Sequence, residues 1–295
     1  MYIDLFGASD RIGGNIADMI AQVLYAFHNN IYIRYNRTNL RVYYSYNQSY
    51  NDSIFMQTIF DIIDNHNNSI YNKDLNDYIE LTSPTHFEVS ARTLLNIQQD
   101  LFSYFNKNLY TNEFRSIFME YAKNKGYEVP FDTKNTILIH LRLEDVKNRP
   151  DYDGSICANY FKDLVEYNII PTETNVNELI SKHPISAMQS PIPFERIQTI
   201  IDSILKDKPG YEVIIVTNPG EDLSTLPYKV ISNQDECYDL FLLCNSEVVI
   251  LSRSNFALSS LFFGIANTVY IPLWGVTSCL GLDTKYDQTT FNYFI

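Results

Sequence analysis

The second half of the chain alternates short apolar runs with amphipathic stretches, and this leaves few folds open. TILIHLRL at 136–143 is a near-continuous apolar run. PFERIQTIIDSILK has helical spacing, YEVIIVT is apolar again, and ECYDLFLLCN is helical. EVVILS, SNFALSSLFFGIAN and TVYIPL then read as strand, helix and a last strand. Continuous apolar runs of this length suit strands buried on both faces, as in parallel sheets covered by helices. Strand and helix in alternation predict a doubly wound α/β sheet. Residues 156–167 have helical spacing, and 168–192 lack a sustained period and read as a long loop.

The first half opens in the same way. YIDLF is a short strand, GASDRIGGN a turn, and Ile16, Met19, Ile20, Val23, Leu24 and Phe27 recur at helical spacing before a second strand, IYIRY. Residues 36–90 are Asn- and Tyr-rich and read as helices and loops, and 91–125 have a stronger helical pattern. Gly126 suits a helix C-cap, and Pro130 marks a break. The expected architecture is therefore two Rossmann-like halves, 1–133 and 134–295.

Composition removes several functions. A net charge of −13 and a pI near 4.7 do not suit a nucleic-acid binder, which needs a basic face against phosphates. A polybasic membrane-docking surface is excluded on the same ground. With no run of about 18 apolar residues, no transmembrane helix is expected. The N-terminus has no basic segment followed by an apolar one, so a cytoplasmic location is expected. Sequons, those at Asn47 and Asn67 among them, would matter only in a secreted chain. Cys157, Cys237, Cys244 and Cys279 form no CxxC pair, and neither a zinc site nor a disulfide framework is expected.

Cations in so acidic a chain must be gathered locally if they are to hold an anion. The strongest local feature is ILIHLRLED at 137–145, an apolar strand that ends in His140, Arg142, Glu144 and Asp145. Open α/β sheets bind ligands beyond the carboxyl ends of their strands. Alternation puts His140 and Arg142 on one strand face. Arg142 there can offer a bidentate fork to a diphosphate, or it can pair with Asp145 or Glu144. SDRIGGN at 9–15 precedes a helix and can bring backbone N–H groups to an anion, or serve only as a tight turn. SRSNF at 252–256 lies between strand and helix, where Ser and Asn either cap the helix or hold phosphate oxygens.

These three segments resemble, in order, the motifs of the GDP-fucose-dependent fucosyltransferases. HLRLED at 140–145 is similar to their HxRxxD signature, DRIGGNIAD at 10–18 to their N-terminal Arg-aromatic-Gly-Asn loop, and DLFLLCNSEVVILSRSNF at 239–256 to their late motif. Leu143 stands where the family often has a second basic residue, and Thr217-Asn218 where it often has Thr-Asp. The resemblance implies a GT-B-like arrangement of two Rossmann-like domains facing a central cleft. It implies inverting, metal-independent transfer of L-fucose from GDP-fucose to a glycan or glycoconjugate acceptor, with no cofactor. Carried over by position, Arg142 would grip the β-phosphate, supported by Asp145. His140 and Asp239 would read guanine and ribose. Ser252, Ser254 and Asn255 would hold the diphosphate, and Arg11, Gly14 and Asn15 would close from the first half. Inversion calls for a base on the acceptor side, and Asp151 and Asp153 are the candidates, with Glu144 behind them. The alternatives are a GT-B glycosyltransferase with another nucleotide-sugar donor, or a non-catalytic carbohydrate-binding protein of the same fold.

Overall fold

In a computed structural model of the protein, the described residues are 2–5, 19–20, 22–24, 26–27, 29–35, 53–70, 112–143, 191–192, 194–220, 222–232, 235–272 and 289–294. The chain divides into two compact units, Met1–Glu128 and Val129–Ile295.

Two strands open the N-terminal unit. β1 (Tyr2–Asp4) and β2 (Tyr32–Arg34) pair in parallel, with Ile3 opposite Ile33 and both fully buried. A parallel pair needs a crossover, and helical residues between 19 and 29 supply it, burying Met19, Ile20, Val23 and Leu24 as their spacing predicts. Helix α1 (Ile54–Ile70) packs on β2 and on α2 (Asn112–Asn124). Ile59, Phe60, Ile62 and Ile63 of α1 and Phe114, Phe118 and Ala122 of α2 have no exposed surface. Gly126 ends α2 at φ 81°. Its N–H donates to the carbonyl of Lys123, and the N–H of Tyr127 donates to that of Ala122. This is the Schellman arrangement, which favours glycine because the residue must adopt positive φ.

Near the end of α1, Asn67 acts as a substitute strand. Its Oδ1 accepts from the backbone N–H of Ile33 at 2.9 Å, and its Nδ2 donates to the carbonyl of Ile33 at 2.7 Å. The side chain is thereby buried and spent on β2, so the folded chain does not present Asn67 as a glycosylation acceptor. Asn47 lies outside the described residues. Asn67→Ala is expected to leave both groups of a buried residue unpaired and to cost about 1–3 kcal/mol. Denaturant titration of the intact protein, followed by a probe in the N-terminal unit, measures this. A loss below about 0.5 kcal/mol, the usual range for a surface change, would contradict it.

The described residues of the C-terminal unit form six parallel strands: β3 (Thr136–Leu141), β4 (Glu212–Thr217), β5 (Lys229–Ser232), β6 (Val248–Ile250), β7 (Thr268–Pro272) and β8 (Thr290–Phe294). Their order across the sheet is β5-β4-β3-β6-β7-β8. Read within this unit, it is the doubly wound Rossmann order, in which the direction of winding reverses between the first and fourth strands, β3 and β6. Helix α3 (Phe194–Asp207) packs on one face: Ile197, Ile201 and Ile204 meet Ile137, Ile139, Val213, Ile215, Val248 and Ile250. Each fully buried side chain of this kind contributes roughly 1.5–3 kcal/mol. Helices α4 (Glu236–Cys244) and α5 (Asn255–Phe263) pack on each other. Right-handed crossovers put them on the face opposite α3.

Two expectations are corrected here. TVYIPL forms β7, but β8 follows it, and the residues after the NPGEDLSTL turn form β5 before α4 begins. Both missed strands are sheet edges. β5 is the four-residue Lys-Val-Ile-Ser with no buried residue, and β8 alternates polar and aromatic residues. Neither has the continuous apolar run that marks the central strands. The helix expected at 156–167 and most of the loop at 168–192 lie outside the described residues. Among the described residues, no helix is long and apolar enough to cross a membrane.

Candidate functional site

The reversal between β3 and β6 decides where a ligand can enter. The strand that follows β3 in the chain, β4, lies on one side of it, and the strand that follows β6, β7, lies on the other; in open α/β sheets such a reversal marks a crevice at the carboxyl ends of the two strands. His140, Arg142, Ser252 and Ser254 all lie at this one place, though more than a hundred residues separate the two pairs.

His140 is the last but one residue of β3. Its odd-numbered neighbours Ile139 and Leu141 face α3, so alternation turns it to the other side. There its ring lies 5.4 Å from that of Phe256 in α5, tilted by 40°. Its Nδ1 is 2.6 Å from Ser252 Oγ, just past β6. Burial first, and the Arg142 charge second, push His140 down to about 3. The ring is therefore neutral at neutral pH. Depending on tautomer, it accepts the Ser252 hydroxyl proton or donates to that oxygen.

Arg142 follows the end of β3 and is half-buried. One of its terminal nitrogens, Nη1, donates to the carbonyl of Arg253 at 3.2 Å, a second tie between the ends of β3 and β6. Thr217, at the end of β4, donates its hydroxyl to the carbonyl of Leu141 at 3.1 Å. The backbone immediately before Arg142 is thus held from β4 as well. The resulting pocket is lined by Leu141, Arg142, Leu143, Pro191, Ile192, Ser252 and Arg253.

Helix α5 begins at the same edge. Ser254 is its N-cap in extended backbone, φ −148° and ψ 129°, and its side chain accepts from the N–H of Phe256 at 3.2 Å. Ser254 thus performs the capping role open to it in the sequence. Asn255 opens the helix. Asp239 is buried, at 4% exposure, in the first turn of α4, where the helix dipole favours a negative charge. That turn also faces the carboxyl edge, because α4 descends from it to reach β6.

The structure thus brings His140, Arg142, Ser252 and Ser254 together and sets Asp239 at the same edge of the sheet. Arg11, Gly14, Asn15, Glu144, Asp145, Asp151 and Asp153 lie outside the described residues. Three participants escaped the sequence reading: Thr217 as an anchor of the Leu141 backbone, Phe256 as a ring beside His140, and Arg253 in the pocket wall. Arg253 carried no local signal in the sequence: an Arg is seldom fully buried, yet here it is 2% exposed. Among the described residues, no group of three or more His, Cys, Asp or Glu is placed to hold a metal ion. Cys237 and Cys244 are buried thiols outside any disulfide.

No protein-family model matches the sequence, and no curated protein is significantly similar to it. Two solved structures align over nearly the whole chain. One is POFUT1 in complex with GDP-fucose, 9% identical, with 99% of this chain and 97% of that chain covered and a TM-score of 0.39. The other is apo POFUT1, 10% identical with the same coverage and a TM-score of 0.41.

Proposed function

We propose that this chain is a glycosyltransferase that binds a nucleotide-sugar diphosphate at the carboxyl ends of β3 and β6. The observation that carries the reading is the convergence of Arg142, Ser252, Arg253 and neutral His140 at the point where the sheet reverses its winding. Such a point suits a nucleotide, and a guanidinium there suits its phosphates. Among donors, GDP-fucose is the one implied by the motifs at 10–18, 140–145 and 239–256. The acceptor is a glycan or glycoconjugate.

The chemistry follows from what the residues are able to do. As the bond from sugar to diphosphate breaks, negative charge builds on the leaving phosphate. Arg142 and the backbone N–H groups at the start of α5 are preorganised donors for that charge. This lets the transfer proceed without a divalent cation. His140, neutral, holds the Ser252 hydroxyl in one orientation and adds no competing charge. The acceptor hydroxyl attacks from the opposite face and passes its proton to a carboxylate, for which Asp151 and Asp153 are the candidates.

The test is incubation with GDP-fucose and a panel of glycan acceptors in the presence of EDTA. Release of GDP that depends on an acceptor and is insensitive to EDTA is expected. Absence of both GDP release and GDP binding would overturn the reading. Release from another nucleotide sugar in place of GDP-fucose would keep the transferase and change the donor.

A further inference from the structure

The carboxyl end of β3 is held unequally by its two neighbours. β6 pairs with β3 as far as Ile139, opposite Ile250. β4 continues for two more residues, with Val216 opposite His140 and Thr217 opposite Leu141. On the β6 flank side chains bridge what remains: His140 meets Ser252 Oγ, and Arg142 Nη1 donates to the Arg253 carbonyl. The peptide that leads into Arg142 therefore takes its setting from β4, and Thr217 is the residue of β4 that meets it.

Thr217 is 1% exposed. A hydroxyl buried to this degree needs a partner, and this one donates to the carbonyl of Leu141 at 3.1 Å. That carbonyl and the N–H of Arg142 belong to one planar peptide unit. Fixing its oxygen fixes the plane, and with it the backbone on which the side-chain rotamers of Arg142 depend. Arg142 is thus steadied at both ends, its backbone through Thr217 and its guanidinium through the Arg253 carbonyl. A planar fork pairs with two oxygens only when it is aimed within narrow limits.

We infer that Thr217 is a positioning residue: through the Leu141–Arg142 peptide its hydroxyl sets the direction in which the Arg142 guanidinium meets the ligand. The inference rests on the reading of Arg142 as the phosphate-binding residue of the donor site. Thr217 itself touches no ligand in this account. It carries no charge, so removing its hydroxyl alters the aim of Arg142 and leaves the formal charge of the site as it was.

The experiment is a double-mutant cycle, read by calorimetric titration of the intact protein with GDP. Thr217→Val and Thr217→Ser are each measured alone, and Thr217→Val also together with Arg142→Ala. One neutral hydrogen bond corresponds to roughly 2–12-fold in affinity. Thr217→Val is expected to weaken GDP binding by about threefold or more, within that range. Thr217→Ser keeps the hydroxyl and should stay within about twofold of wild type. Beside Arg142→Ala, Thr217→Val should change affinity by less than about twofold, because the aim of an absent guanidinium has no effect. Wild-type affinity in Thr217→Val would overturn the inference and leave the donor site standing. The same loss with and without Arg142 would also overturn it, since Thr217 would then act on the site as a whole. A wild type that binds no GDP would overturn the donor reading and the inference with it. If Thr217→Val does not fold, Thr217→Ala takes its place in the same cycle, because it removes the hydroxyl without setting a methyl group against the Leu141 carbonyl.

Discussion

Arg142→Ala is expected to reduce affinity for GDP by about 100-fold or more while leaving the fold intact. A guanidinium that offers two charge-assisted hydrogen bonds to a diphosphate contributes about 1.5–3 kcal/mol with each. The loss of both therefore exceeds two decades in affinity. Arg142→Lys should recover only part, because an ammonium cannot reproduce the planar fork. The fold should survive because Arg142 lies beyond the end of β3 and is only half-buried, while the strand itself is fixed by β4 and β6. Calorimetric titration with GDP, paired with a thermal melt, separates the two effects. Affinity of the alanine variant within threefold of wild type would show that Arg142 does not hold the phosphates.

His140 carries the second large expectation, a loss of stability in mild acid. Its folded-state pKa is pushed down to about 3 by burial, with the Arg142 charge adding to the effect. The unfolded chain has the ordinary value near 6.5. Above about pH 6.5 the ring is neutral in both states and has no effect on the balance. Between about 6.5 and 3 the unfolded chain takes up a proton that the folded one refuses, so stability falls as pH falls. One proton corresponds to about 1.4 kcal/mol per pH unit. By pH 4.5 the loss from this residue is about 3 kcal/mol, a substantial part of the roughly 5–15 kcal/mol that holds most proteins folded. His140→Asn places an amide near Ser252 Oγ and has no proton to gain. Denaturant midpoints of both proteins across pH 4.5–7.5 test this. The gap between them should widen in the variant's favour as pH drops, and parallel pH profiles would contradict it.

The sequence revealed the centre of this fold far better than its edges. TILIHL is buried at all six positions, and its continuous apolar character comes from packing on both faces. β5 and β8 have a neighbour on one side only, so their sequences need not be apolar, and the period-based reading passed over both. α1 shows the same limit in a helix. Its second half reads Asp-Asn-His-Asn-Asn-Ser, which hides the apolar face begun by Ile54, Phe55, Ile59 and Phe60. Asn67 in that stretch is buried because it completes the hydrogen bonds of β2, a role that depends on a residue 34 positions away.

The candidate site divides in the same way. His140 and Arg142 could be picked out because they interrupt an apolar strand, and Ser252 and Ser254 because they precede a helix. Their contact could not be read locally. It depends on β6 lying beside β3 with β4 and β5 on the other flank, and strand order is a property of the whole sheet. Arg253 was passed over for a related reason. Between two Ser residues it looks like part of a polar turn, and only the fold shows it in the same pocket as Arg142.

A crystal structure of the protein grown with GDP tests the central claim most directly. The account predicts nucleotide at the carboxyl ends of β3 and β6, with its diphosphate within hydrogen-bonding distance of the Arg142 guanidinium and the start of α5. Nucleotide bound elsewhere, or a crevice still empty at saturating GDP, would contradict it.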